Sequence, residues 1–575
     1  MAADPAPAAS RPILGLSGEH ILLAGLFLYV GILVALPLGR LFSEALRPDA
    51  SGAILGVFFD SLANRAVSRA LGNTVITSLA ATALSVAIGT LAAIALRLTD
   101  MPGRTALMFL MLMPMLIPSQ ISALAWIELS GPSSPLLNLA GLAPPPGTTN
   151  PLYSMGGIIW VMGLEHAPLV LLAVAAGMAA VPRDLIEAGR IVGARPWRLL
   201  VSIVLPALGP SILAGAALSF VSAIGNFGVP ALLGIPGRVT VLTTLIYQRL
   251  NGFGPSVLGQ VATVALVLVG LAAIGLGVRA FASRFAAAPL DRTGAPLEPF
   301  RLGRFRAPAA LAFWMLAILI AILPLVALIA SALVPALGVR LSLETLSLAN
   351  FEAVLRNPAI ARAFSNSFFL ALATAIICAA VSVPLAYLSV VRKNPLAWLL
   401  DALADAPYAV PGTVVALATI IVFLPPLPVL GISIYGTFWI VLVAYLSRFL
   451  LLALRPVGAS LASMDRALDE VGRIVGAHSL SRLVFIVLPI ALPSALAGAL
   501  LIFMTAINEL TLSALLWSTG TETLGVMVFF LQYEGNSPSA AALASVIVVF
   551  TLGLALVIDL IGRRFVPGVV PWQVR

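Results

Sequence analysis

The chain has 575 residues, of which 61% are hydrophobic and only 10% charged, with a formal net charge of +9. Ordinary soluble globules carry about 25% charged residues, so this composition excludes that class and points to a membrane protein that crosses many times. The positive charge is no nucleic-acid footprint, because 31 of the 32 basic residues are Arg scattered at the ends of apolar runs, and the single cysteine, Cys378, excludes an intramolecular disulfide.

In chain order, Met1 to Pro12 lacks a basic region and the first apolar run is too long for a signal peptide, so it reads as a retained first span. Runs able to cross a bilayer, at about 20 residues each, lie near 21–39, 73–96, 105–127, 155–181, 209–235 and 256–278. A second set lies near 307–337, 367–391, 406–424, 432–454, 493–517 and 540–561. The expected fold is therefore an all-α polytopic membrane protein of about 12 transmembrane helices in two sets of six. Between the sets, Arg279 to Arg306 holds six Arg against two acids, with Pro289, Pro296 and Pro299, and reads as a linker. The expected domains are 1–285 and 307–575, joined by 286–306.

Arg-rich loops stay in the cytoplasm. The 182–208 loop carries Arg183, Arg190, Arg195 and Arg198, the linker its six, and the C-terminal end Arg563, Arg564 and Arg575, whereas 129–154, 425–431 and 518–539 contain no Lys or Arg. Both termini are thus expected inside.

The chain is also written twice. Glu187 to Leu218 recurs 283 positions later as Glu470 to Leu501, with 20 of 32 residues identical, including R-I-V-G-A and I-V-L-P. Asn73-Thr74 recurs as Asn366-Ser367, and Pro114 and Pro118 as Pro407 and Pro411, at an offset of 293; Gly252, Pro255 and Ser256 return as Gly535, Pro538 and Ser539 at 283. An even number of spans between copies makes the halves parallel, related by an axis along the membrane normal. Each loop copy reads as a short surface helix, a break and a second short helix: Glu187/Arg190 and Glu470/Arg473 share a helix face, Gly193 and Gly476 supply the turn, and Pro206 and Pro489 restrict the backbone beyond.

With Glu187, Gly193 and Pro206, and again Glu470, Gly476 and Pro489, in the motif positions, the loop resembles the "EAA loop" of permease subunits in binding-protein-dependent ABC importers. Its triplet reads Glu187-Ala188-Gly189 and Glu470-Val471-Gly472 here. The resemblance implies the type I ABC importer transmembrane fold, and two coupling helices that fit clefts on two copies of an ATP-binding subunit. It also implies an external binding protein that delivers the cargo, and residence in the bacterial inner membrane. Lys393, the only lysine, stands outside any G-x-x-x-x-G-K-[ST] sequence, so ATP and Mg are expected on the partner subunits and no cofactor on this chain.

Ionisable groups inside spans face bundle interiors or aqueous paths. Glu165 and His166 lie in the fourth span, and Glu165 aligns with Arg448. Glu509 in the eleventh span aligns with Asn226 in the fifth, next to Asn508. These six are the candidate substrate pathway, although Glu165 and Arg448 also read as a structural ion pair, His166 as a partner for a neighbouring helix, and Asp401 and Asp405 as interfacial. The stretch Phe227 to Leu233, Asn508-Glu509-Leu510, and Gly520 to Leu524 resemble the permeases of ferric-iron importers, with Asn226 where that group has Asp and Asn508 where it has Lys. Importers of thiamine, aminoethylphosphonate or polyamines share the framework, and an ion-coupled secondary carrier shares the symmetry. No catalytic residue is expected, nor a resident metal, since no H-E-x-x-H spacing occurs and the three histidines are far apart.

Overall fold

The computed structural model describes residues 18–48, 52–53, 55–178, 181, 183–285, 300–428 and 431–565. The first 17 residues, 286–299 of the expected linker and the C-terminal Arg575 lie outside them. In lipid every backbone N–H and C=O needs an internal partner, and the apolar runs meet that demand as helices. Ten helices among the described residues are long and apolar enough to cross a membrane, or 12 if two bent pairs are each one span.

The first half contains α1 (Gly18–Ala45), α2 (Arg65–Leu98), α3 (Arg104–Leu116), α4 (Ser119–Ser130), α5 (Met155–Gly177), α6 (Arg183–Ile191), α7 (Pro196–Gly225) and α8 (Leu258–Arg284). The second contains α9 (Gly303–Ala332), α10 (Pro358–Val391), α11 (Pro395–Ala404), α12 (Gly412–Phe423), α13 (Phe438–Ala462), α14 (Ala467–Ile474), α15 (Ser479–Ala506) and α16 (Ser537–Phe565).

Four expected spans are not continuous. The 105–127 span bends by 106° between α3 and α4. The 406–424 span breaks at the equivalent place, before α12. Pro118 and Pro411 stand at the breaks with near-identical backbones, φ −55°, ψ 141° and φ −54°, ψ 142°. Proline supplies no N–H and forces the preceding residue out of the helical region, and Ile117 is accordingly extended. The 209–235 and 493–517 spans end early, at Gly225 and Ala506, and continue as short helical pieces at Pro230–Gly234 and Ser513–Leu516.

By internal contacts the chain forms two compact units that do not follow the sequence halves. The smaller contains the chain up to Gly39, Phe369–Tyr408 and Leu442–Ala506; the larger contains Arg40–Phe368, Ala409–Val441 and the chain from Ile507. In the smaller unit the start of α1 packs on α11 and on the first turn of α15, both from the second half. In the larger, the end of α9 packs on α4 of the first half as well as on α16.

Inside each unit the repeat makes the same contacts. In the larger, Ser85 Oγ of α2 donates to the Gly163 carbonyl of α5 at 2.8 Å; in the smaller, the equivalent Cys378 Sγ of α10 lies 3.7 Å from the Leu446 carbonyl of α13. A methyl on Gly215 would come within 3.1 Å of Val170, a tight fit, and one on its counterpart Gly498 within 2.6 Å of the Ala453 backbone, so the second crossing needs a residue without Cβ.

The repeated loops and the helix breaks

Each repeated loop starts with an exposed amphipathic helix, α6 or α14, and turns at a glycine in the left-handed region, with φ +77° at Gly193 and +80° at Gly476. The turn closes identically in both copies: Ala194 N donates to Gly189 O and Ala477 N to Gly472 O, each at 2.9 Å, a bond five residues back that satisfies one of the helix's orphan carbonyls. The second short helix is not separate as expected. It forms the first turn of α7 or α15 and passes through a wide π turn, Leu200–Val204 or Leu483–Val487, directly before Pro206 or Pro489. That widened turn accommodates a ring that would clash with the carbonyl four residues back in a regular helix.

Flexible side-chain ends crowd the glycine in the third position of each triplet. A methyl on Gly189 would collide with Leu199, and one on Gly472 would lie 2.9 Å from Ile486 and 3.1 Å from the Arg482 side chain. Glu187 and Glu470 are exposed. Beyond them the tips present bare apolar side chains: Ile191 and Val192 are 86% and 82% exposed, Ile474 and Val475 83% and 74%.

In the larger unit, Asn226 and Glu509 occupy the two helix breaks and do the same local work. Asn226 Oδ1 accepts from Val229 N at 3.1 Å; the Glu509 carboxylate accepts from Leu512 N at 2.9 and 3.0 Å and from Ser513 N at 3.3 Å. Each side chain thus caps the short helical piece that follows its break. Asn226 Nδ2 also donates to Glu165 Oε2 at 3.1 Å, so these two predicted pathway residues meet. Asn508 Nδ2 donates to Thr551 Oγ1 of α16 at 3.0 Å. His166 is buried, and its Nδ1 has no partner among the described residues. Arg448, in the smaller unit, donates from Nη1 to Pro407 O at 3.2 Å and stands over the Tyr408 ring at 5.8 Å.

Sequence reasoning missed Gln120. Placed at the start of α4 by the Pro118 bend, it donates from Nε2 to Asn508 O at 3.1 Å and joins a break in the second half to a bend in the first. Beside it, Phe227, Tyr247 and Phe529 cluster with ring centroids 5.2 to 6.1 Å apart. The one available signal was adjacency to the repeated proline. Arg455 pairs with both Asp401 and Asp405, and Ser389 Oγ donates to Asp401 at 2.8 Å, around a cavity of about 330 Å³. Among the described residues no three metal-ligating side chains come together.

The model of the binding-protein-dependent transport system inner membrane component family matches the chain twice, over residues 85–286 and 381–571. The chain belongs to this family. It is thus a fused, two-domain transport component with the type I ABC permease fold. A Sinorhizobium fredii protein named as a probable ABC transporter permease is 26% identical over 553 residues, 95% of each chain. An Fe(3+)-transport system permease protein of Haemophilus influenzae is 25% identical, over 84% of this chain and 87% of its own. A Salmonella typhimurium permease provisionally named for 2-aminoethylphosphonate transport is 28% identical, over 42% of this chain and 82% of its own.

Proposed function

We propose that this chain is the permease subunit of an ATP-driven importer in which each repeated loop docks one copy of a separate ATP-binding subunit, an external binding protein delivers the cargo, and that cargo is ferric iron. The observation that carries the reading is the pair of exposed apolar tips with one sequence, Arg190–Ala194 and Arg473–Ala477. Apolar side chains held open on a polar loop mark a docking surface, and two identical surfaces are met by two copies of one partner. ATP and Mg belong to those partners, because this chain has no phosphate-cradling lysine. The Arg bias orients both termini and both loops toward the cytoplasm of a bacterial inner membrane. An ion-coupled carrier needs no such matched tips.

Ferric iron is supported by the relative of that name, which aligns over most of both chains, and by carboxylates at Glu165 and Glu509 on or beside the breaks in the larger unit. The phosphonate-named relative aligns with less than half of this chain. The test is reconstitution of the permease with the ATPase and binding protein encoded beside it, with uptake followed for ferric iron, 2-aminoethylphosphonate, thiamine and spermidine. Selective iron uptake and a binding protein that captures ferric iron are expected. Capture of the phosphonate instead would overturn the cargo and leave the importer reading standing. Glu187→Arg or Glu470→Arg should uncouple uptake from ATP hydrolysis with membrane insertion intact; unchanged coupling in both and in the double variant would end the docking reading.

A further inference from the structure

The two repeated loops are alike at their tips and unlike at their roots. In the smaller unit, Asp469 on α14 and Arg482 on the first turn of α15 are both buried, 4% exposed, and form an ion pair across the glycine turn at 3.3 Å. Three further groups complete the cluster. Tyr387 Oη donates to Asp469 Oδ1 at 2.7 Å, Arg392 Nη1 lies 3.5 Å from Oδ2, and Arg392 Nε donates to Glu19 at the start of α1 at 3.0 Å. In the larger unit the repeat puts Ile186 at the position of Asp469, Leu199 at that of Arg482, Ile94 at that of Tyr387 and Thr99 at that of Arg392. Ile186 and Leu199 are buried in an apolar cluster there, with Ile94 packed against it. One framework thus closes the same turn with an ion pair in one copy and with two aliphatic side chains in the other.

A buried charge left without its partner is far more costly than an apolar pair of similar volume, and geometry at such a site follows the pair rather than either member. We infer that Asp469 and Arg482 are positioning residues for ATPase coupling, holding the second tip, Ile474–Val475, by an ionic clasp that Ile186 and Leu199 replace by packing at the first. This rests on the docking reading above. The two losses are unequal: without Asp469, Arg482 keeps, among the described residues, only the Ser479 hydroxyl at 3.3 Å, whereas without Arg482 the carboxylate still has Arg392 and Tyr387. Asp469→Ile is therefore the more damaging single change. The pair together can be replaced by what the first loop uses.

The experiment uses the full transporter in proteoliposomes, with single cysteines at Val192 and Val475 in a Cys378→Ala background as cross-linking probes toward the ATPase. Asp469→Ile should cut the Val475 cross-link and the uptake per ATP hydrolysed about tenfold, Arg482→Leu less, with the Val192 cross-link unchanged. Asp469→Ile/Arg482→Leu should recover most of both, a non-additive rescue that a merely damaged fold would not give. If a charge variant does not insert, Tyr387→Phe, which removes only the phenolic donor, carries the same expectation at smaller size. A double variant as impaired as the sum of its singles, or singles that leave the Val475 cross-link intact, would overturn the inference. No cross-link from either position in the parent protein would instead overturn the docking reading, and this inference with it.

Discussion

Asn226 and Glu509 differ in charge yet cap their breaks in the same way, so the cap cannot be the reason one of them is ionisable. A neutral amide accepts the N–H at 3.1 Å in one half, and a carboxylate accepts two N–H groups in the other. Glu509→Gln keeps a capping oxygen and loses the charge, whereas Glu509→Ala loses both, at a typical cost of about 1 kcal/mol. Uptake should therefore fall several-fold in Glu509→Gln with a near-parental Tm, and both should fall in Glu509→Ala; normal uptake by Glu509→Gln would remove the charge from the mechanism. Glu522 offers a pH test. Burial alone would raise its carboxyl, but Arg362, at 3.0 and 3.3 Å, and the Gly520 N–H at 2.9 Å hold it below the usual range. A carboxyl depressed in the folded state stabilises it fully above the ordinary carboxylate range and ceases to do so as pH falls through the lowered value. The Tm advantage of the parent over Glu522→Gln should accordingly be present at neutral pH and vanish in acid; a gap that widened in acid would contradict the pairing.

At the scale of elements, the repeat preserves contacts more faithfully than residues. Thr74 Oγ1 accepts from Leu242 N at 2.8 Å and its counterpart Ser367 Oγ from Leu524 N at 2.9 Å, so in both halves a hydroxyl on the second helix receives the start of a later one. Cys378 occupies the position of Ser85, where a hydroxyl already makes the equivalent bond. Cys378→Ser should therefore be accepted with little change in Tm, and a large loss would show that the two crossings are not equivalent. The glycine turns are less forgiving. Alanine in the left-handed region costs about 1 kcal/mol or more, so Gly193→Ala or Gly476→Ala should weaken coupling while the spans stay helical by circular dichroism. Coupling unaffected by either change would show that the turn geometry is unimportant.

For the whole molecule, topology is the decisive measurement. Cysteines at Ser133 and Ser518 in a Cys378→Ala background should react with an impermeant reagent added outside, and one at Ala194 should not; the reverse pattern would invert the orientation. The apolar runs, the doubled loop and the paired prolines could be read from the sequence because each is a local property: backbone satisfaction in lipid makes long apolar runs helical, and Gly193, Gly476, Pro118 and Pro411 act within a turn of where they stand. Apolarity alone could not locate the ends at Gly225 and Ala506, since the residues beyond are nearly as apolar as those before. Which groups meet was likewise beyond it. That Asp469 pairs with Arg482 where Ile186 and Leu199 join an apolar cluster is decided by the surrounding packing, and that Gln120 reaches Asn508 and that the start of α1 packs on second-half helices are set by packing between segments far apart in sequence. The hydrophobic effect drives burial without naming a partner, and only the tertiary structure, where backbones crowd Gly215 and approach closely enough to exclude a Cβ at Gly498, selects one.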